Sequence, residues 1–346
     1  MKIRDFDYHL PAELIAQHPC HQRDRSRLMV IDRKTGEIED RIFSHLPEIL
    51  KREEVLVIND SRVIPARLVG QKETGGRIEL LLLTRKSKVP GSSETWEVLL
   101  KPAKRVSPGT KIMIDGNCEA SIVERASERK WIVTLTASYE FQRFLEKHGR
   151  APLPPYIKRK TSDTRHLEDL QRYQTIYAKV PGSVAAPTAG LHFSRHTLDD
   201  LKKNGVHVVP VTLHVGYGTF LPIEEETVEN HMMEEEFYEI TPEAARIISE
   251  AESVTAVGTT ATRVIESAAD ETGKIKTYSA YTSLFIYPGY RFKRVNALIT
   301  NFHLPRSSLY LLVCAFAGKN IMEKAYKKAT EERYRFYSYG DCMLIL

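Results

Sequence analysis

The sequence predicts an α/β protein interrupted by a run of short antiparallel strands that form a small barrel or sandwich. Three observations carry that expectation. Val55-Leu56-Val57-Ile58 is a continuous apolar run, the pattern of a strand buried on both faces. Between about Ala66 and Ser138, six short strand-like segments follow one another at even spacing with turn residues between them. From Thr197 onward, strand and helix periods alternate again.

Taken in order, Pro11 can open a short helix through Gln17, and residues 27–32 read as a strand ending at the Lys34-Thr35-Gly36 turn. A helix is expected from Ser44 to Leu50. The apolar strand at 55–58 ends in Asn59-Asp60-Ser61-Arg62, polar residues at the strand end where ligands of open α/β sheets sit. The short strands are placed at 67–71, 77–84, 95–100, 111–114, 118–124 and 130–135. Thr74-Gly75-Gly76, Pro108-Gly109 and Asp115-Gly116 supply turns between them. Ser138 is the expected N-cap of a helix that stops at Gly149. An extended Ala151-Pro152-Leu153-Pro154-Pro155-Tyr156 then leads into the basic Lys158-Arg159-Lys160, the expected hinge.

In the second half, a helix at 197–204 closes at Gly205 and precedes a strand at 206–215. Residues 242–253 read as helix, 254–257 as strand, and Gly258-Thr259-Thr260 opens a helix through Ala268. Strands are expected at 281–286 and 297–300, around Pro288-Gly289. An apolar helix at 308–317 ends at Gly318, and Asn320 with Glu323 suggests a capping box for the last helix. Residues 342–346 complete the chain as a strand.

Composition narrows the class. Of 346 residues, 42% are hydrophobic and 27% charged, enough apolar material for about two domains. No apolar run approaches the roughly 20 residues that span a bilayer, and the N-terminus lacks an apolar leader, so a cytoplasmic protein is expected. Fifty Lys and Arg against 45 Asp and Glu give a net charge of +5, which permits a nucleic-acid partner without requiring one. Cys20, Cys118, Cys314 and Cys342 are scattered, with no spacing that suits a zinc or iron–sulfur site.

Several stretches carry chemistry. Tyr173 to Phe193 ends in a long run of Pro, Gly, Ala, Ser and Thr with no charge between Lys179 and His192. A Gly/Pro-rich segment can be a plain crossover loop, but the length and lack of charge favour a buried binding wall. Gly258-Thr259-Thr260 sits between strand and helix, where free N–H groups and two hydroxyls suit a carboxylate better than a diphosphate. The plain alternative is a tight turn with a capped helix. Arg263 and Glu266 share a helix face at i and i+3, and read equally as a surface ion pair. His192, His214, His231 and His303 fall near element ends without metal-ligand spacing, which points to acid/base or hydrogen-bonding work. Basic residues cluster at Lys101, Lys104 and Arg105, at Lys158 and Arg159, and at Arg291, Lys293 and Arg294. The last cluster is interleaved with Tyr287, Tyr290 and Phe292, a mixture that suits unstacked bases and phosphates.

The segments YQTIYAKVPGSVAAPTAGLHF, VTLHVGYGTFLPI, NHMMEEEFYEI, VGTTATRVIES, ALITNFHLPRSSLYLLVCAFAG and YRFYSYGDCMLIL resemble the S-adenosylmethionine:tRNA ribosyltransferase-isomerase family of queuosine biosynthesis. VLVINDSRVIPARL fits as well, so the resemblance spans the chain. Tyr217 departs from it, since a smaller residue such as alanine is expected between the glycines.

The resemblance implies an α/β main domain with a mixed sheet, made of residues 1–65 and 151–346, and an inserted antiparallel β-barrel domain at 66–150. It implies a transferase that moves the ribosyl group of S-adenosylmethionine, its cosubstrate, onto 7-aminomethyl-7-deazaguanine in tRNA. The product is epoxyqueuosine, and adenine and methionine leave; no metal is called for. A monomer is expected. The accompanying hypothesis gives the methionine carboxylate to Gly258, Thr259, Thr260 and Arg263. Acid/base work goes to His192, His214 and His303, and the adenosyl contact to Pro187, Thr188, Ala189, Gly190 and Phe193. The basic clusters go to the anticodon stem-loop. A methyltransferase using the same cosubstrate and a non-catalytic RNA-binding protein are the competing readings.

Overall fold

A computed structural model describes residues 1–88, 92–104, 106–159, 165–220 and 222–346. The chain runs through β1 (Arg27–Ile31), β2 (Ile38–Ile42), α1 (Leu46–Ile49), β3 (Val55–Asn59) and β4 (Ser61–Val63). Six strands follow: β5 (Arg67–Lys72), β6 (Arg77–Lys88), β7 (Ser93–Lys101), β8 (Lys111–Ile114), β9 (Cys118–Arg125) and β10 (Lys130–Ala137). Next come α2 (Phe141–His148), α3 (His166–Arg172), β11 (Val180–Ser183), α4 (Arg195–Lys203), β12 (His207–Leu213) and β13 (Glu236–Glu239). The remainder is α5 (Pro242–Glu250), β14 (Val254–Val257), α6 (Gly258–Ala268), β15 (Ser279–Thr282), β16 (Ala297–Asn301), α7 (Ser308–Ala317), α8 (Lys319–Glu331) and β17 (Cys342–Ile345).

Nine strands form one mixed sheet in the order β15-β13-β12-β3-β14-β16-β17-β1-β2. Its middle, β12-β3-β14-β16, is parallel throughout. Every residue of β3, β14 and β16 is buried, so these strands read as continuous apolar runs rather than alternating ones. Successive residues of β3 serve opposite layers. Val55 and Val57 pack with α5, α6, α7 and α8, whereas Leu56 and Ile58 pack with α1 and α4.

The six short strands close into an antiparallel barrel, in the order β10-β7-β6-β5-β8-β9, which decides between barrel and sandwich. Burial alternates residue by residue along β7 and β10, and Leu68, Leu80, Val98, Ile112 and Val133 meet inside. Entry and exit are clasped together: Arg67 and Arg150 exchange backbone hydrogen bonds of 3.2 and 2.8 Å. Beside that clasp, a Cβ on Gly149 would stand 2.1 Å from the Pro65 carbonyl oxygen and 2.6 Å from that of Leu145. Gly149→Ala must therefore push backbone apart. We expect a loss of about 1–3 kcal/mol, read as a lower urea midpoint at unchanged slope.

Several element boundaries differ from the sequence reading. The helix expected at 11–17 is one 3-10 turn, Ala12–Leu14, because the backbone there turns to Phe336 instead. The helix expected from Ser44 is a 3-10 turn, Phe43–His45, running into the short α1. Ser138 does not cap α2; its N–H donates to Asn117 O, and the helix starts three residues later without a side-chain cap. The Asn320 capping box is absent as well, since α8 begins at Lys319 directly after Gly318. The strand expected at 281–286 stops at Thr282, where the Thr282 hydroxyl accepts the Leu284 N–H and turns the chain. The short strands β2, β4, β11 and β13 carried no sequence signal strong enough to place them.

Candidate active site

The four parallel strands end at Asn59, Leu213, Val257 and Asn301, and the residues just beyond gather at one sheet edge, where open α/β sheets bind ligands. Asn59 is buried and stitches β3 to β12. Its Nδ2 donates to Leu213 O at 3.1 Å, and its Oδ1 accepts the N–H groups of Ser61 and Leu213, both at 3.1 Å. At the end of β14 the chain turns straight into α6 through Gly258, whose φ of +88° is costly for any residue with a Cβ. No side chain caps this helix start, and its first residues are buried. The Thr260 Oγ1 is buried without a hydrogen-bond partner. The helix start thus leaves N–H groups and one hydroxyl without side-chain partners at the positive end of the helix dipole.

The uncharged loop lies against that edge. β11 pairs with β4, and a 3-10 turn, Thr188–His192, follows. Its side chains disperse into separate clusters: Val184 into the barrel core, Ala185 into one face of the sheet, Ala189 and Phe193 into the other. Ala186 and Leu191 join Leu153 and Ile157 in a small fourth cluster. Ala189 faces the Gly258 turn, and the Thr188 hydroxyl donates to Asn301 Oδ1 at 2.9 Å. Pro187, Ala189 and Gly190 are buried, which leaves half-buried Thr188 as the accessible member of that wall. Phe193 is fully buried, packed edge-on against Phe43, so it supports the wall from behind rather than facing the edge.

The three histidines differ in circumstance. Asn301 Nδ2 donates to both Tyr337 O at 3.1 Å and His192 Nε2 at 3.0 Å. The His192 proton therefore sits on Nδ1, 2.7 Å from Ser26 Oγ, and both ring nitrogens are engaged within the fold. Burial, with Arg335 and Arg23 nearby, pushes its pKa down to about 3. His303 is likewise buried, with Nε2 at 2.8 Å from Thr300 Oγ1, and burial pushes it down to about 3. His214 is half-buried, and its Nδ1 has no partner. It stands against Gly182, where an added Cβ would come within 2.6 Å of the ring. Its pKa is lowered because burial outweighs the Asp60 and Glu239 carboxylates. Asp60 itself is raised by burial, while the Thr212 hydroxyl donates to its Oδ1 at 2.7 Å. Three strand spacings of ~4.8 Å separate the His214 end of the edge from the His303 end, roughly 14 Å in all.

Arg263 and Glu266 are not a surface pair. Both are buried and each has other partners. Arg263 is ion-paired with Glu236 and donates to Leu284 O at 3.0 Å, so its charge is already balanced. Glu266 accepts the N–H groups of Lys293, Arg294 and Val295 at 2.7, 3.0 and 2.9 Å. Lys293 and Arg294, of the basic cluster with Arg291, therefore sit beside the last turns of α6, roughly 12 Å from the Gly258 turn by helix rise. Arg294 is spent on the Ile248 and Ala251 carbonyls.

Lys101, Lys158 and Arg159 instead line a cleft of about 650 Å³ between the barrel and the 150–159 segment, and Lys104 is exposed. Arg105 lies outside the described residues, as does Lys160. The sequence reading missed Ser26, Asp60 and Asn301 as site residues. Asp60 stands in the polar strand end Asn59-Asp60-Ser61-Arg62, and Asn301 directly follows the strand expected at 297–300; Ser26 carried no signal, being 166 positions from its partner His192. Among the described residues, no group of three or more His, Cys, Asp or Glu side chains is placed to hold a metal ion, and no helix is long and apolar enough to cross a membrane.

Residues 3–345 match the family described as queuosine biosynthesis protein. A protein of Syntrophus aciditrophicus (strain SB), named S-adenosylmethionine:tRNA ribosyltransferase-isomerase, is 55% identical over 361 aligned residues, covering all of both chains. A protein of the same name from Caldanaerobacter subterraneus subsp. tengcongensis is 49% identical over 352 residues, again covering both completely. Among solved structures, the crystal structure of S-adenosylmethionine tRNA ribosyltransferase from Thermotoga maritima is 38% identical, with a TM-score of 0.55; the match covers 99% of this chain and 100% of that one.

Proposed function

The chain belongs to the queuosine biosynthesis protein family, and from that membership we propose that it moves and isomerises the ribosyl group of S-adenosylmethionine onto 7-aminomethyl-7-deazaguanine in tRNA. The product is epoxyqueuosine. Bonds from the ribosyl group to adenine and to the sulfonium sulfur break, and a bond to the amine nitrogen and a ring-closing carbon–carbon bond form. The amine and a ribosyl carbon each give up a proton, one of which leaves on adenine, and methionine departs as the neutral thioether. One observation carries the placement of the cosubstrate: the buried, uncapped start of α6 with its unpartnered Thr260 hydroxyl. A methionine carboxylate there would meet free N–H groups and the positive end of the helix dipole. Arg263 balances Glu236 and holds the helix in place, a supporting role rather than a ligand contact.

His214 is the acid/base candidate, because its ring stands half-buried at the strand-end edge and its Nδ1 bonds nothing in the fold. Its lowered pKa keeps the ring neutral near pH 7, as a base that removes an acidified C5′ proton must be. Asp60, with its raised pKa, stands beside it as a proton partner. His192 and His303 set the geometry of the Asn301 end.

The decisive experiment incubates the protein with tRNA bearing the aminomethyl base and S-adenosylmethionine labelled in the ribose. Label entering RNA with equimolar adenine release is expected. Formation of S-adenosylhomocysteine would instead establish a methyltransferase, and an unconsumed cosubstrate would leave only an RNA-binding protein. For the carboxylate site, Thr260→Val should raise the Kd for S-adenosylmethionine about tenfold, the worth of one hydrogen bond to a charged group. Because that hydroxyl bonds nothing in the fold, thermal stability should not fall. An unchanged Kd by calorimetry would remove Thr260 from the site.

A further inference from the structure

Outside the strand-end edge, the strongest unassigned feature is the cleft of about 650 Å³ between the barrel and the 150–159 segment with α3. Seven of its lining side chains are cationic and three are acidic, although the whole chain carries a net charge of only +5. The acids do not cancel the excess. Glu79 is taken by Arg67, Asp169 accepts both Nε and Nη2 of Arg159 at 2.9 Å, and Glu128, with no ion-pair partner among the described residues, offsets one charge at most. Arg77, Lys101, Arg150 and Lys158 have no ion-pair partner among the described residues. Four uncompensated cations around one concavity repel one another, and low-dielectric walls focus their field.

The cleft also carries one aromatic, the half-buried Tyr217, between Gly216 and Gly218. Tyr217 lies three residues beyond His214, so cleft and strand-end edge are joined by a short piece of chain, roughly 10 Å at full extension. Leu153 and Ile157 on the cleft wall pack against Ala186 and Leu191 of the uncharged loop.

The geometry points to this cleft as the surface that holds the RNA substrate, with Arg77 and Arg150, joined by Lys101 and Lys158, gripping loop phosphates and Tyr217 stacking on a base. The assignment rests on the RNA reading of the preceding subsection and deepens it. It moves the RNA contact away from Arg291, Lys293 and Arg294; the N–H groups of Lys293 and Arg294 donate to Glu266, toward the other end of α6. Phosphate neutralisation supplies affinity, and stacking on an aromatic ring suits an unpaired loop base.

The test measures binding of an anticodon stem-loop RNA by fluorescence anisotropy across a salt series, with S-adenosylmethionine affinity measured on the same preparations. The full-length double variant Arg77→Glu/Arg150→Glu should bind the RNA at least ~30-fold more weakly at physiological salt. Its slope of log K against log salt should flatten by about 1–2. Tyr217→Ala should weaken binding about 5- to 100-fold with the salt slope unchanged. Arg291→Glu/Lys293→Glu should bind as wild type, and all variants should keep wild-type cosubstrate affinity. Wild-type RNA affinity in the cleft variant, or an equal loss in the Arg291 variant, would overturn the assignment. So would retention of a polyglutamate peptide as tight as that of RNA. A wild-type protein that binds cosubstrate but no RNA would instead overturn the RNA reading itself, and this surface with it.

Discussion

Replacing His214 with alanine is expected to lower turnover about 10²- to 10⁴-fold, while the Kd for S-adenosylmethionine changes less than about threefold. The ring is half-buried at the strand-end edge with an idle Nδ1, so its removal deletes a proton acceptor without breaking a hydrogen bond of the fold. Burial keeps its pKa below the ordinary value of a histidine, against the pull of Asp60 and Glu239. The acid limb of the wild-type rate profile should therefore lie below pH 6.5 and vanish in His214→Ala. His192→Ala and His303→Ala form the contrast. Each removes a ring nitrogen from a satisfied bond, so each should show first as lost stability. A His214→Ala enzyme within tenfold of wild-type turnover would end the acid/base assignment.

The second large effect is loss of stability in acid. His192 and His303 are buried as neutral rings with pKa values pushed down to about 3, against an unfolded value near 6.5. Between those limits the unfolded chain binds more protons than the folded one, so stability rises with pH and falls on acidification. Each histidine contributes a slope of up to about 1.4 kcal/mol per pH unit. Together they give nearly 3, a large share of the roughly 5–15 kcal/mol that holds a folded protein together. Urea midpoints should fall steadily from pH 7 to pH 4.5. His303→Gln, whatever it costs at pH 7, should flatten that slope by up to about half. An unaltered slope in the variant would show that His303 is not held neutral.

The barrel was readable because its information is local. Alternation along 95–100 and 130–135, with Pro108-Gly109 and Asp115-Gly116 between strands, needs only neighbouring residues to declare itself. The apolar run at 55–58 and the Gly258 turn were equally plain, and both lie where the sequence reading put them. Capping was read less well. Ser138 and Asn320 are good cap residues by type, but Ser138 is drawn to Asn117 in the β8–β9 turn, and the last helix starts at Lys319 with Gly318 in the cap position. At Ser138, tertiary hydrogen bonding overrode a preference worth only ~1 kcal/mol.

By itself, then, the chain's order of residues determined the α/β layers, the six barrel strands, the uncharged wall and the family to which the protein belongs. Only the folded chain decided which polar groups meet. Ser26, His192 and Asn301 form one bridge, Arg263 turns to Glu236 rather than Glu266, and Arg77 and Arg150 face a single cleft. The reason is physical. Backbone preference is set within a few residues, whereas a side chain's partner depends on which distant strands lie side by side, and a nine-stranded mixed sheet admits many such orders.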